Sequence, residues 1–479
     1  MSRRGGRPPL QTGGGIETNT KAPYASVAEE EQAREEAAAA QLRIWRAHLP
    51  EIFEKMSRIA DPRRPGSIRH QVAVLLFYGL LLFVFQYASR REANRGATTP
   101  ALTAALQQVF PDLDLASVPH FDTVERFLRT LPPDALEQIL RDRITQLLRR
   151  HAVRQYLVDH AWVVAIDGTQ KFTRHQPFAP EALRQRVSDT ETRYRVYIVE
   201  AVLVTSAGAT LPLLSEFAEN AVDASPETKQ DSETKAFRRL ARRLKDWFPR
   251  RRLLVVMDGL YPNGPIFQIC RDYHWDYLIV LPQKVLPSVW KEAQALRRLD
   301  TAGERRRTHR WGDRAQTFSW VNDIAYTWTP ATGGRPRTTM VHVAFCHETW
   351  TDAQGETHQT QWAWVSRKRL TATNIVARCN RAGRHRWAIE AHFLVEKRHG
   401  DHFEHAYSYD WQALKNWHHL MQLAHLLNVL TLWSAIGETL QHTYGYRGTI
   451  QFLRETWSHR WLSDAFLQAY VIHCTAIAA

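Results

Sequence analysis

Five short apolar runs, rich in β-branched residues, constrain the fold of this 479-residue chain more than any other feature. Runs of this length and composition are typical of buried strands. They cover residues 162–167, 194–204, 210–217, 253–257 and 277–281. Two predicted helices, over 232–247 and about 264–273, separate the last three runs. The resulting order predicts a mixed α/β sheet that begins with antiparallel strands.

The pattern changes on both sides of these runs. Residues 28–156 have helical spacing, residues 283–366 are strand-like and rich in Trp and Thr, and the chain from residue 370 is helical again. The predicted units are a disordered basic tail over 1–27, a helical domain over 28–156, a first part of the core over 157–282, a β-rich insertion over 283–366, a second part of the core over 367–435 and C-terminal helices over 436–479. Within the helical domain, residues 117–131 have the pattern of a turn plus recognition helix, and an ordinary helical bundle is the alternative.

Charge favours a polyanionic partner. The chain has 63 Lys and Arg against 49 Asp and Glu, a formal net charge of +14, which suits nucleic acid or an anionic membrane surface. The long apolar run over 72–85 would span about 21 Å as a helix, short of the roughly 30 Å of a bilayer core. We therefore expect a buried helix and no membrane partner.

Several site classes lack sequence support. The four cysteines form no C-x-x-C pair, which argues against a disulfide framework or a zinc ribbon and favours the reducing cytoplasm. Neither phosphate-binding glycine motif, G-x-x-x-x-G-K-[ST] or G-x-G-x-x-G, is present, so no nucleotide cofactor is predicted.

Two aspartates follow predicted strands, where side chains often line a site. Asp167 ends the first run and Asp258 follows the fourth. If those strands are neighbours, both carboxylates can reach one divalent cation, and Mg²⁺ prefers such oxygen ligands. Asp-Gly at a strand end is also a common turn, which is the alternative for each aspartate taken alone.

A third carboxylate is predicted on a helix. Arg386, Glu390 and Lys397 are spaced by four and seven residues, which places them on one helical face. A carboxylate flanked by cations suits a site for metal and phosphate, with Arg386 and Lys397 on the DNA backbone. Residues 367–398 carry nine Lys or Arg and two Glu. A solvated charged face with intrahelical ion pairs is the alternative.

Other acidic and histidine residues are weaker candidates. Surface or capping roles are favoured over a spare ligand for Glu200, Glu216, Asp231 and Glu233. Histidines repeat every seven residues at His385, His392 and His399. A zinc site there needs more ligands at defined geometry, so helix packing or phosphate contact is favoured.

The three acidic residues resemble the active-site motifs of IS4-type DDE transposases. The third motif of that family is a helical Tyr-x2-Arg-x3-Glu-x6-Lys signature, and Arg386, Glu390 and Lys397 match its spacing. Gly383 stands at the position of the signature tyrosine. The stretches 166–169 and 256–261 resemble the first two acidic motifs, so the resemblance covers roughly residues 162–397.

The resemblance implies a ribonuclease-H-like catalytic core with a β-rich insertion between the second aspartate and the glutamate. It also implies that Asp167, Asp258 and Glu390 hold two Mg²⁺ ions, with Mn²⁺ as a substitute, and that the N-terminal helices bind DNA. The implied partners are double-stranded DNA, as terminal inverted repeats and as target, and a second copy of the chain in a synaptic dimer.

The sequence thus predicts a transposase that cleaves transposon ends and joins them to target DNA in a bacterial cytoplasm, at the nucleoid. The alternative is a catalytically inactive, domesticated DNA-binding protein that keeps the transposase fold. A metal-dependent nuclease that never joins strands is a third possibility.

Overall fold

The computed structural model describes residues 23–115, 117–150, 156–205, 209–222, 230–331 and 333–474. Residues 1–22 of the predicted basic tail lie outside this range, and the first helix already begins at Val27. The described residues form a mixed α/β structure around one ten-stranded sheet, so the predicted fold class is confirmed at that level.

Helices precede the sheet. Within the described residues they are α1 (Val27–Ser57), α2 (Val72–Val84), α3 (Arg90–Gly96), α4 (Pro100–Val109), α5 (Phe121–Leu128) and α6 (Pro133–Leu147). Every residue of α2 is buried. Gly79 allows α2 to pack closely on a later helix, since a Cβ there would lie 2.8 Å from Cδ1 of Leu420.

The apolar run of α2 is therefore part of a helical core. Among the described residues, no single helix is both long and apolar enough to cross a membrane. The helices Trp411–Leu432 and Ala435–Ser458 meet that criterion only as a pair, and the pair is bent by 100°.

Six strands and two helices follow. They are β1 (Trp162–Arg174), β2 (Leu183–Arg186), β3 (Thr192–Val204), β4 (Thr210–Ala218), α7 (Glu233–Trp247), β5 (Leu253–Met257), α8 (Gly264–Asp272) and β6 (Asp276–Val280). Strand β3 is antiparallel to β1, β2 and β4, whereas β5 is parallel to both β1 and β6. The order β4–β3–β1–β5–β6 is thus an antiparallel meander continued by two parallel strands.

Both faces of this part of the sheet are covered. Val164 and Ile166 of β1 belong to the apolar cluster shared with α7 and the N-terminal helices. Val163 and Ala165 belong to a second cluster, which includes Ile389. Because successive side chains of a strand point to opposite faces, burial on both sides explains the unbroken apolar run.

The segment after β6 extends the same sheet. It contains α9 (Pro287–Leu299), β7 (Arg306–Trp311), β8 (Arg314–Trp328), β9 (Arg337–Thr351) and β10 (Thr357–Ser366). Strand β10 pairs antiparallel with β6, and β9, β8 and β7 follow in order. This segment was expected to be mostly β, and the structure adds helix α9 at its start.

The chain then returns across the sheet in an irregular helix. The segments are α10 (Ile375–Arg378), a wide π turn (Cys379–Gly383), a 3-10 turn (Arg384–Arg386) and α11 (Trp387–Arg398). The last helices are α12 (Trp411–Leu432), α13 (Ala435–Ser458) and α14 (Asp464–Ala469). Helix α1 packs on α13, where Arg34 donates to the carbonyl of Phe452 and the hydroxyl of Thr456.

Candidate active site

Asp167 lies on β1, and Asp258 comes directly after the end of the neighbouring parallel strand β5. Ala165 of β1 is paired with Val256 of β5, and continuing that register by two residues brings Asp167 beside Asp258. Neighbouring strands are about 4.8 Å apart. The alignment therefore places two carboxylates where they can share a cation.

The adjacent antiparallel strand adds a third acidic residue beside Asp167. Glu200 of β3 is paired with Asp167 in the β1–β3 register. Directly opposed residues of an antiparallel pair lie on the same face. Asp167 and Glu200 therefore lie side by side on the face that α11 covers, with Asp258 just past the end of β5 on the other side of Asp167.

Arg386 connects Glu390 to Asp167. Its Nη2 donates to Oε1 of Glu390 at 2.6 Å, and its Nη1 lies 3.7 Å from Oδ2 of Asp167. The Arg386 side chain is 6% exposed, whereas that of Glu390 is 42% exposed. The structure thus places the predicted glutamate next to the first aspartate, with a guanidinium between them.

The carboxylates of Asp167, Asp258 and Glu390 do not surround one point in this structure. Among the described residues, groups of three ligand atoms within 4.8 Å of one another occur at two other places and not at Asp167, Asp258 and Glu390. Arg386 occupies the space between two of the acids. Joint metal coordination by Asp167 and Glu390 therefore requires the guanidinium to move.

Burial makes the charge on Asp167 costly. The pKa of this carboxyl is raised to about 6, chiefly by burial and also by the nearby carboxylates of Asp258 and Glu233. The N–H of Gly168, which donates to Oδ1 at 2.8 Å, and the Arg386 guanidinium lower it. A cation bound here removes that cost, which is the electrostatic condition expected of a metal-binding carboxylate.

Glu233 is a fifth acidic residue in this region, close to Asp167. The hydroxyls of Tyr197 and Tyr261 donate to its two oxygens at 2.6 Å and 2.8 Å. A side chain at position 168 would collide with this arrangement, since a Cβ on Gly168 would lie 2.4 Å from the Tyr197 hydroxyl. The surface or capping role favoured for Glu233 overlooks these contacts, because the two tyrosines are distant in sequence.

Gly383 explains the departure from the tyrosine of the signature. A Cβ at this position would lie 2.8 Å from Cδ2 of Leu278 and 2.9 Å from Nε1 of Trp364. The wide turn thus packs directly on the sheet, and no larger side chain fits without rearrangement. The signature position is used here for close packing.

Lys397 lies away from the aspartates. Its Nζ is 3.5 Å from Oε1 of Glu404, and its side chain is 21% exposed. The spacing of seven residues places it two turns along α11 from Glu390. Its predicted contact with a DNA backbone stays a prediction.

Much of the positive charge over 367–398 is paired inside the protein. Arg378 is fully buried and donates to Asp159 at 2.8 Å and to Asp276 at 2.6 Å. Arg384 forms an ion pair with Glu348. The density of cations in this stretch therefore reflects internal ion pairs as well as exposed charge.

Two other groups have the geometry of metal ligands. Asp352, Glu356 and His358 lie in the β9–β10 turn, where Asp352 already accepts N–H groups from residues 354 and 356. His392, Glu396 and the α12 residue His425 are all buried. The sequence signal of regular histidine spacing includes only the first of these three residues.

Comparison with known proteins finds a match to one family model. No curated protein matches the chain. Residues 53–143 match the family model described as DDE_Tnp_1-associated. The matched residues extend from the end of α1 into α6, so they include none of the carboxylates described above. The match links this chain, through its N-terminal helices, to DDE-type transposases.

Proposed function

We propose that this chain is a DDE transposase of the IS4 type, which cleaves DNA at transposon ends and joins the ends to target DNA. The observation that carries the proposal is the alignment of Asp167 with Asp258 on adjacent strands, with Glu390 held beside them through Arg386. The match of residues 53–143 supports it independently, since it involves a different part of the chain.

The strand order supports the proposed ribonuclease-H-like core. Strands β1, β3 and β4 form an antiparallel meander, and β5 and β6 continue the sheet in parallel from β1. In this proposal β7–β10 belong to an insertion that enlarges the same sheet before α11 supplies the glutamate.

The carboxylates fit divalent cations. Asp167, Asp258 and Glu390 would hold two Mg²⁺ ions, for which Mn²⁺ can substitute, because all three supply the oxygen ligands that these ions prefer. Such ions activate a water or a 3′-hydroxyl and stabilise the leaving oxygen of a phosphodiester. The protein's part is to hold the carboxylates on the sheet and on α11.

Arg386 has two roles in the proposal. In the structure it forms ion pairs with Glu390 and, at a longer distance, with Asp167. If these carboxylates bound a metal ion, the guanidinium would be free to bind a DNA phosphate, for which a planar bidentate donor is well suited. The phosphate contact predicted from the sequence is thereby compatible with the burial of Arg386.

Exposed groups near α11 offer a surface for DNA. Trp387, which follows Arg386, is 49% exposed. All residues of β7 are exposed, and they include Arg306, Arg307 and Arg310. We propose that these cations contact the phosphate backbone, whose interaction with proteins is dominated by such charges. The proposed assembly on DNA is a dimer that pairs two transposon ends.

The test uses untagged full-length protein and the DNA that flanks its coding frame. The proposal predicts nicking near inverted repeats that depends on Mg²⁺ or Mn²⁺, followed by joined products when target DNA is added. Sequence-specific binding without cleavage under either ion would contradict it and favour the inactive DNA-binding protein. Cleaved ends that are never joined would contradict the transfer step and favour a nuclease.

A further inference from the structure

The buried face of α11 carries a second set of ligand residues, apart from the aspartate pair. His392 and Glu396 are four residues apart and therefore lie on one side of the helix. His425 reaches the same place from α12. One ligand atom from each residue lies within 4.8 Å of the other two, and all three residues are buried.

Both imidazole rings are oriented by outer partners. Nδ1 of His392 lies 3.0 Å from the hydroxyl of Thr210. Nδ1 of His425 lies 2.7 Å from Oδ2 of Asp401, and Gln86 donates to the other Asp401 oxygen at 2.7 Å. A carboxylate or hydroxyl that holds Nδ1 leaves Nε2 as a lone-pair donor, as is usual for metal-bound histidines.

Two inner atoms of the group lack hydrogen-bond partners, although Gln422 donates to the other oxygen of Glu396 at 3.0 Å. Among the described residues, Nε2 of His392 and Oε2 of Glu396 are buried and unpaired. Nε2 of His392 lies 3.2 Å from Oε1 of Glu396. Two ligands of a tetrahedral zinc ion with bonds of about 2.0–2.1 Å are separated by about 3.3 Å, so this spacing suits a shared ion.

The surrounding charge favours a divalent cation. Three buried carboxylates face this region, those of Glu200, Glu396 and Asp401, and Lys171 is the buried ammonium beside them. His418 lies 3.5 Å from Glu200 as a further neutral imidazole. Lys171 and the partly exposed Lys397 offset these three carboxylates only in part, so a bound divalent ion would stabilise their ionised forms.

A cavity adjoins the two histidines. It has a volume of about 240 Å³ and is lined by His392 and His425 together with Thr210, Tyr446 and apolar side chains of α11 and α12. Water needs polar partners and space of this kind. Two imidazoles, one carboxylate and one open position form a ligand set typical of zinc.

We propose that His392, Glu396 and His425 bind one Zn²⁺ ion, separate from the ions of the aspartate pair. The ion joins α11, which carries Glu390, to the central helix α12. This inference does not depend on the proposed transposase activity. Imidazole ligands distinguish the site from the all-carboxylate group, because they favour zinc or cobalt over magnesium.

The test uses untagged full-length protein in which Asp167→Asn and Asp258→Asn remove the other group of carboxylates. After treatment with a chelator, Co²⁺ is added as a spectroscopic probe and bound Zn²⁺ is measured by mass spectrometry. We expect one equivalent of either ion and visible cobalt bands typical of four or five ligands.

Matched variants locate the ion. Glu396→Gln and His425→Ala should each weaken Co²⁺ binding by more than about 100-fold, since loss of an outer partner alone typically costs about 10–100-fold. Asp401→Asn, which removes only an outer partner, should weaken Co²⁺ binding by about 10–100-fold. Asp352→Asn, in the exposed β9–β10 group, is the control and should bind as the parent does.

Two results would overturn the proposal: no stoichiometric cobalt or zinc in the parent, or unchanged binding in Glu396→Gln. Glu396→Gln is nearly isosteric and keeps the test valid if His425→Ala does not fold, which circular dichroism shows. Because the readout is bound metal and not DNA cleavage, its outcome is distinct from that of the cleavage test.

Discussion

The two sides of α11 hold carboxylates in opposite environments. The Glu390 side chain is 42% exposed and pairs with Arg386, whereas Glu396 is fully buried among histidines and Gln422. The sheet below shows the same division, because Asp167 is partly accessible and Glu200, its partner in the β1–β3 register, is 1% exposed. Solvent access, rather than residue type, thus distinguishes the open side of α11, at Glu390, from the closed side, at Glu396.

The largest expected effect separates activity from stability on the open side. Glu390→Gln should lower the rate of DNA cleavage by at least about 1000-fold, or about 4 kcal/mol of transition-state stabilisation. The free energy of unfolding should change by less than about 1 kcal/mol, because the lost ion pair is partly exposed. Cleavage assays and urea unfolding measure the two quantities.

Glu404→Gln is the matched control for this variant. Glu404 is 55% exposed and pairs with Lys397, away from the aspartates. It should cleave DNA within about threefold of the wild-type rate, well below the effect of losing a catalytic group. An equal loss of cleavage in both variants would remove the distinction between Glu390 and other acids near α11.

On the buried side of α11, around Glu396, we expect substitutions to change the free energy of unfolding. Lys171 lies in the β-bulge of β1, and its ammonium is 4.0 Å from the centre of the Phe403 ring. Burial lowers the pKa of Lys171, and the charges of Glu396 and Glu200 partly offset that lowering. Lys171→Met should reduce the free energy of unfolding by about 3 kcal/mol or more, since it leaves buried carboxylates uncompensated.

Urea unfolding in the presence of a chelator measures this effect. Lys397→Met, at a site that is 21% exposed, is the control and should cost less than about 1 kcal/mol. A Lys171→Met protein as stable as the wild type would mean that the buried carboxylates do not depend on this ammonium.

Asp167→Asn should stabilise the protein under the same conditions. The folded-state pKa of about 6 lies above the ordinary value of 3.8, so stability falls as pH rises from about 4 to about 6 and the loss is complete above that window. Replacing the carboxyl should raise the free energy of unfolding by up to about 3 kcal/mol at pH 7. It should also abolish the fall in stability between about pH 4 and pH 6.

Unfolding measured from pH 4 to pH 8 in a chelator checks this prediction. Asp189→Asn, at an aspartate that is 96% exposed, should follow the wild-type profile. If Asp167→Asn lowers stability at pH 7, the buried carboxylate is not a source of strain and the electrostatic account of the open site is wrong.

The smallest effect concerns Glu233. Tyr261→Phe removes one of the two hydroxyls that donate to its carboxylate and should cost about 1.5 kcal/mol, the lower end for a hydrogen bond to a charged group, because Tyr197 still donates. Thermal and urea unfolding measure the cost. If Tyr261→Phe left the stability unchanged, Glu233 would be held by other contacts.

Local pattern was sufficient to predict some parts of this structure and not others. The apolar runs predicted the strands that carry Asp167 and Asp258, because burial on both faces leaves a continuous apolar signature. The register that aligns the two aspartates depends on pairing between residues 91 positions apart and has no local signal. Nor could spacing show that β7–β10 extend the sheet, since edge pairing is decided by tertiary packing.

Side-chain partners were the least predictable feature. Arg386, Glu390 and Lys397 share helical spacing, but the structure buries the first against Asp167 and places the last beside Glu404. Spacing that places residues on one helical face does not determine whether that face is buried or exposed to solvent. Likewise, the histidine period includes His392 but not His425, which comes from another helix and completes the buried group.

The proposed cleavage requires Asp167 and Asp258 to act together on a metal ion. Its most direct test compares cleavage of end DNA by wild type and by Asp258→Asn in Mg²⁺, at protein concentrations that give equal DNA occupancy. We expect metal-dependent cleavage by the wild type, a loss of at least about 1000-fold in the variant, and unchanged DNA affinity. Cleavage by Asp258→Asn at the wild-type rate would contradict it.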